Sequence, residues 1–211
     1  MTIRSQKNLE IVLSKLKGFE FPSLELEQYA TPSPIAAEWI WTMALKKEVA
    51  GKIILDAACG PGILGIGLLL MGAKKVFFVD KDEKAMQFCM DNYNHVQEEY
   101  EIGEAAFIIN DISLFDGEVD LVVQNPPFGT KEEHADKRFL EKAFTVAPII
   151  YSMHKWSTLG FVEAISKDYG FIITDTWRFE FPIKAAFSFH QKPKVIIDVG
   201  LWRMEKKESK V

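Results

Sequence analysis

Lys52-Ile53-Ile54-Leu55-Asp56-Ala57-Ala58-Cys59-Gly60-Pro61-Gly62-Ile63-Leu64-Gly65-Ile66-Gly67 is the stretch that decides the architecture. Its apolar, β-branched start is the right length for a buried strand. The strand closes in an acid, a glycine turn follows, and an apolar helix pattern runs from Ile63 to Met71. Gly60 and Gly62 permit positive φ and let a ligand approach the backbone closely. The helix start adds unpaired N–H groups and the positive end of a dipole. The spacing Asp-x-x-x-Gly-x-Gly departs from the dinucleotide fingerprint, because the loop is shorter and the acid sits at the strand end.

Working outward, the same grammar repeats. Val76-Phe77-Phe78-Val79-Asp80 is a second strand ending in an acid, before an amphipathic helix over 82–97 with Ala85, Met86, Phe88, Cys89, Tyr93 and Val96 on its apolar face. Ala105 to Ile112 is a third, closing at Asp111, and Val119-Asp120-Leu121-Val122-Val123-Gln124 is a fourth, closing at Asn125. Strands that alternate with helices, each with a polar residue at its C-terminal edge, predict a parallel α/β sheet that binds ligands across those edges. Before this core, apolar spacing predicts a helix over 4–17 with Gly18 as its stop, then a loop with three prolines. A second helix follows over 34–48, capped by Thr31 or Ser33. After it come helices over 137–147 and 156–168, a strand over 148–154, and two last strands over 171–179 and 194–204.

A chain of 211 residues, 48% hydrophobic, is expected to fold as one domain. Within it, 1–50 holds the N-terminal helices and a ligand loop, 51–204 the core sheet, and 205–211 a frayed tail. No apolar run reaches membrane-spanning length and no apolar leader opens the chain, so a soluble, cytoplasmic protein is expected. Two cysteines, Cys59 and Cys89, are too few for a metal cluster or a disulfide framework, and both are expected to be reduced, with no metal bound. The net charge of −5 disfavours tight nucleic-acid binding by the whole surface, though a local patch can supply it.

Asn125-Pro126-Pro127-Phe128 carries the chemistry. Two prolines cannot continue a sheet, so the strand ends in a stiff turn with the Asn125 amide fixed in direction. A planar exocyclic amino group is a poor nucleophile because its lone pair is delocalised. A side-chain carbonyl and a neighbouring backbone carbonyl that accept its two hydrogens favour a pyramidal nitrogen. An aromatic ring at Phe128 suits stacking on a flat substrate. At the glycine turn, Asp56 would repel a pyrophosphate but suits a zwitterionic amino-acid ligand, through its ammonium or an intervening water, a pattern used by S-adenosylmethionine sites. Asp80 is placed to accept from ribose hydroxyls or to cap the following helix, a role open to Asp82 as well. Asp111 is placed to accept from an adenine amino group, with Asn110 as an alternative cap of that turn.

In this order the motifs resemble class I methyltransferases that modify adenine N6, and more narrowly the methyltransferase-like protein 5 family of ribosomal-RNA adenine methyltransferases. The stretches that carry the likeness are Leu24 to Thr31, Asn125 to Lys131, Tyr151-Ser152-Met153-His154-Lys155, and Pro182 to His190. The resemblance implies a Rossmann-like, seven-stranded, mostly parallel sheet with an antiparallel last strand and helices on both faces. It implies S-adenosylmethionine held by Gln28, Tyr29, Thr31, Asp56, Gly60, Gly62, Asp80, Asp111 and Asn125. Asn125, Pro126, Pro127 and Phe128 would form the catalytic turn, with Phe128, Lys131, His154, Lys155 and His190 toward the RNA. It further implies small-subunit ribosomal RNA as substrate and a small zinc-binding activator protein as partner. Two departures stand out: Ala58 replaces a common glycine, and Glu132-Glu133-His134 is acidic where an RNA-facing loop would be basic.

From residue chemistry alone, three alternatives stay open. Asn-Pro-Pro with an aromatic also serves methylation of a release-factor glutamine, whose amide is planar too. DNA adenine is another acceptor, and a non-catalytic cofactor-binding scaffold is the third. Lys155, Trp156, Arg178, Lys184, His190, Lys192 and Lys194 are candidates for phosphate contacts or a solvated charged face.

Overall fold

The computed structural model of the chain describes residues 2–19, 27–127, 135–184 and 194–207. Helices α1 (Gln6–Leu13) and α2 (Ser33–Leu45) precede the strand–turn–helix unit β1 (Ile53–Ala57) and α3 (Ile63–Leu70). Then follow β2 (Lys75–Asp80), α4 (Glu83–Glu99), β3 (Glu104–Ile109), β4 (Leu121–Gln124), α5 (Ala135–Val146), β5 (Ile149–Lys155), α6 (Leu159–Asp168), β6 (Phe171–Lys184) and β7 (Lys194–Lys206).

The strands form one seven-stranded sheet in the order β3-β2-β1-β4-β5-β7-β6. Pairs among β1 to β5 are parallel, and β7 lies antiparallel between β5 and β6. This is the Rossmann-like methyltransferase sheet expected from the sequence. Chain order reverses between β1 and β4, so their C-terminal edges flank a crevice, where open α/β sheets bind ligands. One face of the sheet packs on the first four helices through a core that includes Leu13, Trp39, Ile40, Ile66, Phe78, Cys89 and Val123. The other packs on α5 and α6 through Val122, Leu140, Phe144, Ile150, Val162 and Trp202. Adjacent β4 residues thus point into different cores, as a period of two requires.

Several boundaries differ from the sequence expectation for local reasons. Helix α1 stops at Leu13 rather than running to Gly18, because Lys15 and Leu16 turn back to the Val12 and Leu13 carbonyls in a tighter coil. Neither Thr31 nor Ser33 caps α2; Pro32 stands at its N-cap without a side-chain bond. Strand β3 ends at Ile109, two residues before Asp111, where Asp111 instead caps a 3-10 turn through the Ser113 N–H. Trp156 to Thr158 is also a 3-10 turn, so α6 begins only at Leu159. Strand β7 continues through Glu205 and Lys206, residues expected in a frayed tail; Arg203 bonds Glu205 at 2.8 Å. Arg203 also pairs with Glu48, which accepts the Tyr151 hydroxyl at 2.7 Å, tying the end of α2 to β5 and β7. Both cysteines are free and buried.

Candidate active site

A cavity of about 430 Å³ opens over the C-terminal edges of β1, β2 and β4. That volume is in the range of small-molecule sites. Its floor is the glycine turn, with Ala58, Cys59, Gly60 and Pro61 on the wall. The turn is built from left-handed residues: Ala58 at φ 57°, Gly60 at 52° and Gly62 at 87°. A left-handed alanine is costly, which explains why a glycine suits position 58. A Cβ on Gly60 would sit 2.8 Å from the Phe19 ring, so glycine lets that ring close over the turn. On Gly62 a Cβ would lie 2.5 Å from Cys89 Sγ. Gly62 is not on the cavity wall; its freedom serves packing against α4.

Asp80, at the end of β2, lines the cavity. Its carboxylate accepts from the Gly60 N–H and the Asp82 N–H, each at 2.9 Å, so it braces the glycine turn. Burial raises its pKa, against the lowering effect of those two bonds. Asp82, not Asp80, caps α4. Asp111 also lines the cavity, its pKa lowered by the Ser113 N–H, and Arg138 of α5 lies 3.6 Å from its other oxygen. Asp56 differs from the expectation. It is 1% exposed, off the cavity wall, and accepts the Gly65 N–H at 2.8 Å, capping the first turn of α3 from below. Burial pushes its pKa up to about 8, so its carboxyl holds a proton more readily than a free carboxylate and presents a weaker charge to an ammonium.

The opposite wall comes from the segment before α2. Gln28, Tyr29 and Thr31 all line the cavity, as expected. The Gln28 amide donates to Asp82, and burial raises the Tyr29 pKa, helped by Glu27. Thr31 makes the contact on which the chemistry turns: its Oγ1 accepts the Asn125 Nδ2 at 3.0 Å. With the amide nitrogen held, Asn125 Oδ1 is buried and has no partner among the described residues. An orphaned buried acceptor is costly unless a ligand completes it. Asn125 and Pro127 line the cavity, and Pro126 between them is buried.

Of the residues assigned to RNA, Phe128, Lys131 and His190 lie outside the described residues. Lys155 is half-buried at the end of β5. His154 is corrected: at 1% exposure it is interior and bonds to Ser152 and Asp136, so it cannot touch a substrate. Arg178 is bound to Asp198 and lies 4.7 Å over the Trp156 ring. Sequence reasoning missed the part of α1 and its sequel in the cavity wall, Leu13, Ser14 and Leu16 to Phe19, and Arg138 and Phe139 of α5. It also missed Asn92, which bonds the Lys17 backbone and the Pro61 carbonyl and so fastens the two walls together. An asparagine within the apolar face of α4, between Cys89 and Val96, was the available signal.

The profile of the methyltransferase small domain family matches residues 38–148. The rRNA N(6)-adenosine-methyltransferase Mettl5 of Drosophila melanogaster is 33% identical over 94% of this chain and 95% of that protein. This chain belongs to the small-domain methyltransferases, in the methyltransferase-like protein 5 family. An uncharacterized protein of Methanocaldococcus jannaschii is 33% identical to this methyltransferase over 95% of the chain and 94% of its own length. A crystal structure from Pyrococcus horikoshii, described as a candidate RNA methyltransferase, superposes with a TM-score of 0.88 at 37% identity, covering 97% of this methyltransferase and 99% of that chain. The resemblance read from the Gln-Tyr-x-Thr and Asn-Pro-Pro-Phe segments is therefore borne out. Among the described residues of this methyltransferase no helix is long and apolar enough to cross a membrane, and no His/Cys/Asp/Glu group could hold a metal ion.

Proposed function

We propose that this methyltransferase transfers a methyl group from S-adenosylmethionine to N6 of an adenine in ribosomal RNA. The observation that carries the reading is the Asn125 amide of the cavity wall, its nitrogen held by Thr31 and its oxygen buried and unpartnered among the described residues. The residues present fit the donor: an acid at the end of β2, a second acid just beyond the end of β3, and a turn whose backbone is open at Gly60 beside the Phe19 ring. Asp80 would accept from its ribose, Asp111 from its adenine edge, and the glycine turn with Gln28, Tyr29 and Thr31 would enclose the rest. When bound, the sulfonium supplies an electrophilic methyl and a neutral thioether leaving group.

The protein's own part is alignment. Asn125 Oδ1 and the Pro126 carbonyl accept the two N6 hydrogens, which draws the nitrogen lone pair out of the ring and toward the methyl. With the methyl on it, N6 would carry the positive charge given up by the sulfonium and would be acidic. Its surplus proton then leaves to water, so no strong general base is required. Holding donor and acceptor in one geometry is the main source of rate.

The test offers labelled S-adenosylmethionine and the enzyme to two acceptors, unmodified small-subunit rRNA and release factor. The assay is run with and without a small zinc-binding partner of the kind the family resemblance implies. Label recovered as N6-methyladenosine supports the reading. Label on a release-factor glutamine, with RNA blank in both conditions, would overturn it.

A further inference from the structure

Beneath the Asn-Pro-Pro turn runs a chain of buried polar side chains that the mechanism above does not use. Gln124 Nε2 donates to Ser152 Oγ at 2.9 Å, Ser152 Oγ lies 2.6 Å from His154 Nε2, and His154 Nδ1 lies 3.0 Å from Asp136 Oδ2. Gln124 and Ser152 are fully buried, His154 is 1% exposed and Asp136 7%. Donors and acceptors align in one direction when His154 is neutral with its proton on Nδ1. Gln124 then gives to Ser152, Ser152 to His154, and His154 to Asp136.

Serine, histidine and aspartate in this order have the geometry of a hydrolase triad. With no exposure at Ser152, no substrate carbonyl can reach its oxygen, so nucleophilic catalysis is excluded. What the chain does connect is informative. Gln124 is the last residue of β4 and directly precedes Asn125. Asp136 lies in the first turn of α5, and Arg138 and Phe139, two and three residues on, line the cavity. Gln124 and Ser152 are partners across β4 and β5, and Ser152 and His154 share one face of β5. The turn is thus gripped from both faces of the sheet: Thr31 holds Asn125 on the side of α2, and the His154 chain holds Gln124 on the side of α5.

We infer that His154 is a positioning residue for methyl transfer, linking α5 to the end of β4 so that Asn125 Oδ1 stays in register with the acceptor nitrogen. Buried polar chains define one arrangement at the cost of intolerance to partial loss, and here only Gln124 Oε1 is left buried without a partner among the described residues of the chain. This inference rests on the adenine-methylation reading, and the two can fail separately. The experiment compares single-turnover methylation of rRNA, S-adenosylmethionine affinity and thermal midpoint for the wild type, His154→Leu and His154→Asn. Leucine removes both links, whereas asparagine retains a donor near the Nδ1 position for Asp136.

The expected result is a roughly tenfold or greater fall in the transfer rate for His154→Leu, since small misplacements of reacting groups are costly. The cofactor Kd stays within about threefold and His154→Asn recovers part of the rate. A His154→Leu rate within about twofold of wild type would overturn the inference, as would rate, affinity and thermal midpoint falling in step. If His154→Leu does not fold, Ser152→Ala is read by the same criteria. A wild type that leaves RNA unmethylated both with and without the small zinc-binding partner would sink the functional reading and the inference with it; an active wild type beside an unaltered variant would sink the inference alone.

Discussion

Replacing Thr31 with valine removes one oxygen and little volume, yet it should slow catalysis through a residue 94 positions away in sequence. In the native site, Thr31 Oγ1 accepts the Asn125 Nδ2 at 3.0 Å, and this contact selects which end of the amide faces the acceptor. A neutral hydrogen bond is worth about 1 kcal/mol net, and leaving a half-buried donor without a partner costs about 1 kcal/mol more. The preference for the productive amide orientation therefore falls by about 1 to 2 kcal/mol, which corresponds to a roughly 5- to 30-fold loss in kcat. The assay is methyl transfer to rRNA at saturating cofactor, beside Thr31→Ser, which restores the hydroxyl. The reasoning predicts a reduced kcat in the valine variant, near-normal kcat in the serine variant, and cofactor Kd changed far less than kcat. Should Thr31→Val turn over within about twofold of wild type, the amide is oriented by something other than Thr31.

Three further outcomes follow from the same geometry. Asp56 has a folded-state pKa near 8, above that of an unfolded carboxylate, so the folded chain keeps a proton that the unfolded chain releases. The stability this contributes is full below about pH 4 and lost as pH rises toward 8, so thermal midpoints should decline over that window and decline less steeply in Asp56→Asn. Asp80→Asn keeps an acceptor for the Gly60 N–H but loses the charge that suits two ribose hydroxyls; cofactor affinity should drop about tenfold by calorimetry, and an unchanged Kd would remove Asp80 from the ribose site. Gly62→Ala forces an L residue to φ 87° and drives its Cβ to 2.5 Å from Cys89 Sγ. Denaturant unfolding should show a loss of about 2 to 4 kcal/mol, part of it recovered by adding Cys89→Ala; full additivity of the two changes would refute the clash.

Much of this architecture could be read because each parallel strand is a short apolar run closed by one polar residue. Asp80 and Asn125 therefore point to the ligand-binding edge of the sheet from the sequence alone. Motif spacing along the chain located the glycine turn, but the division of labour within it depends on packing. Gly60 faces Phe19 and the cavity, while Gly62 faces Cys89, and no local pattern distinguishes them. Asp56 has the residue type of a ligand group and the burial of a helix cap, and burial is set by α3 folding over it. His154 misled for a similar reason. A histidine near a catalytic edge has the same identity whether it faces RNA or Asp136, and only the docking of α5 decides which. The Thr31–Asn125 bond joins segments far apart in sequence, and nothing in either segment names its partner.

The most direct test of the central claim is single-turnover methylation of rRNA by wild type and Asn125→Ala, each saturated with S-adenosylmethionine, with the RNA digested and its nucleosides resolved by mass. The account predicts N6-methyladenosine from the wild type. From the variant it predicts a loss of at least about a hundredfold, with cofactor Kd little changed. Equal rates from the two proteins, or a wild-type product other than N6-methyladenosine, would contradict it.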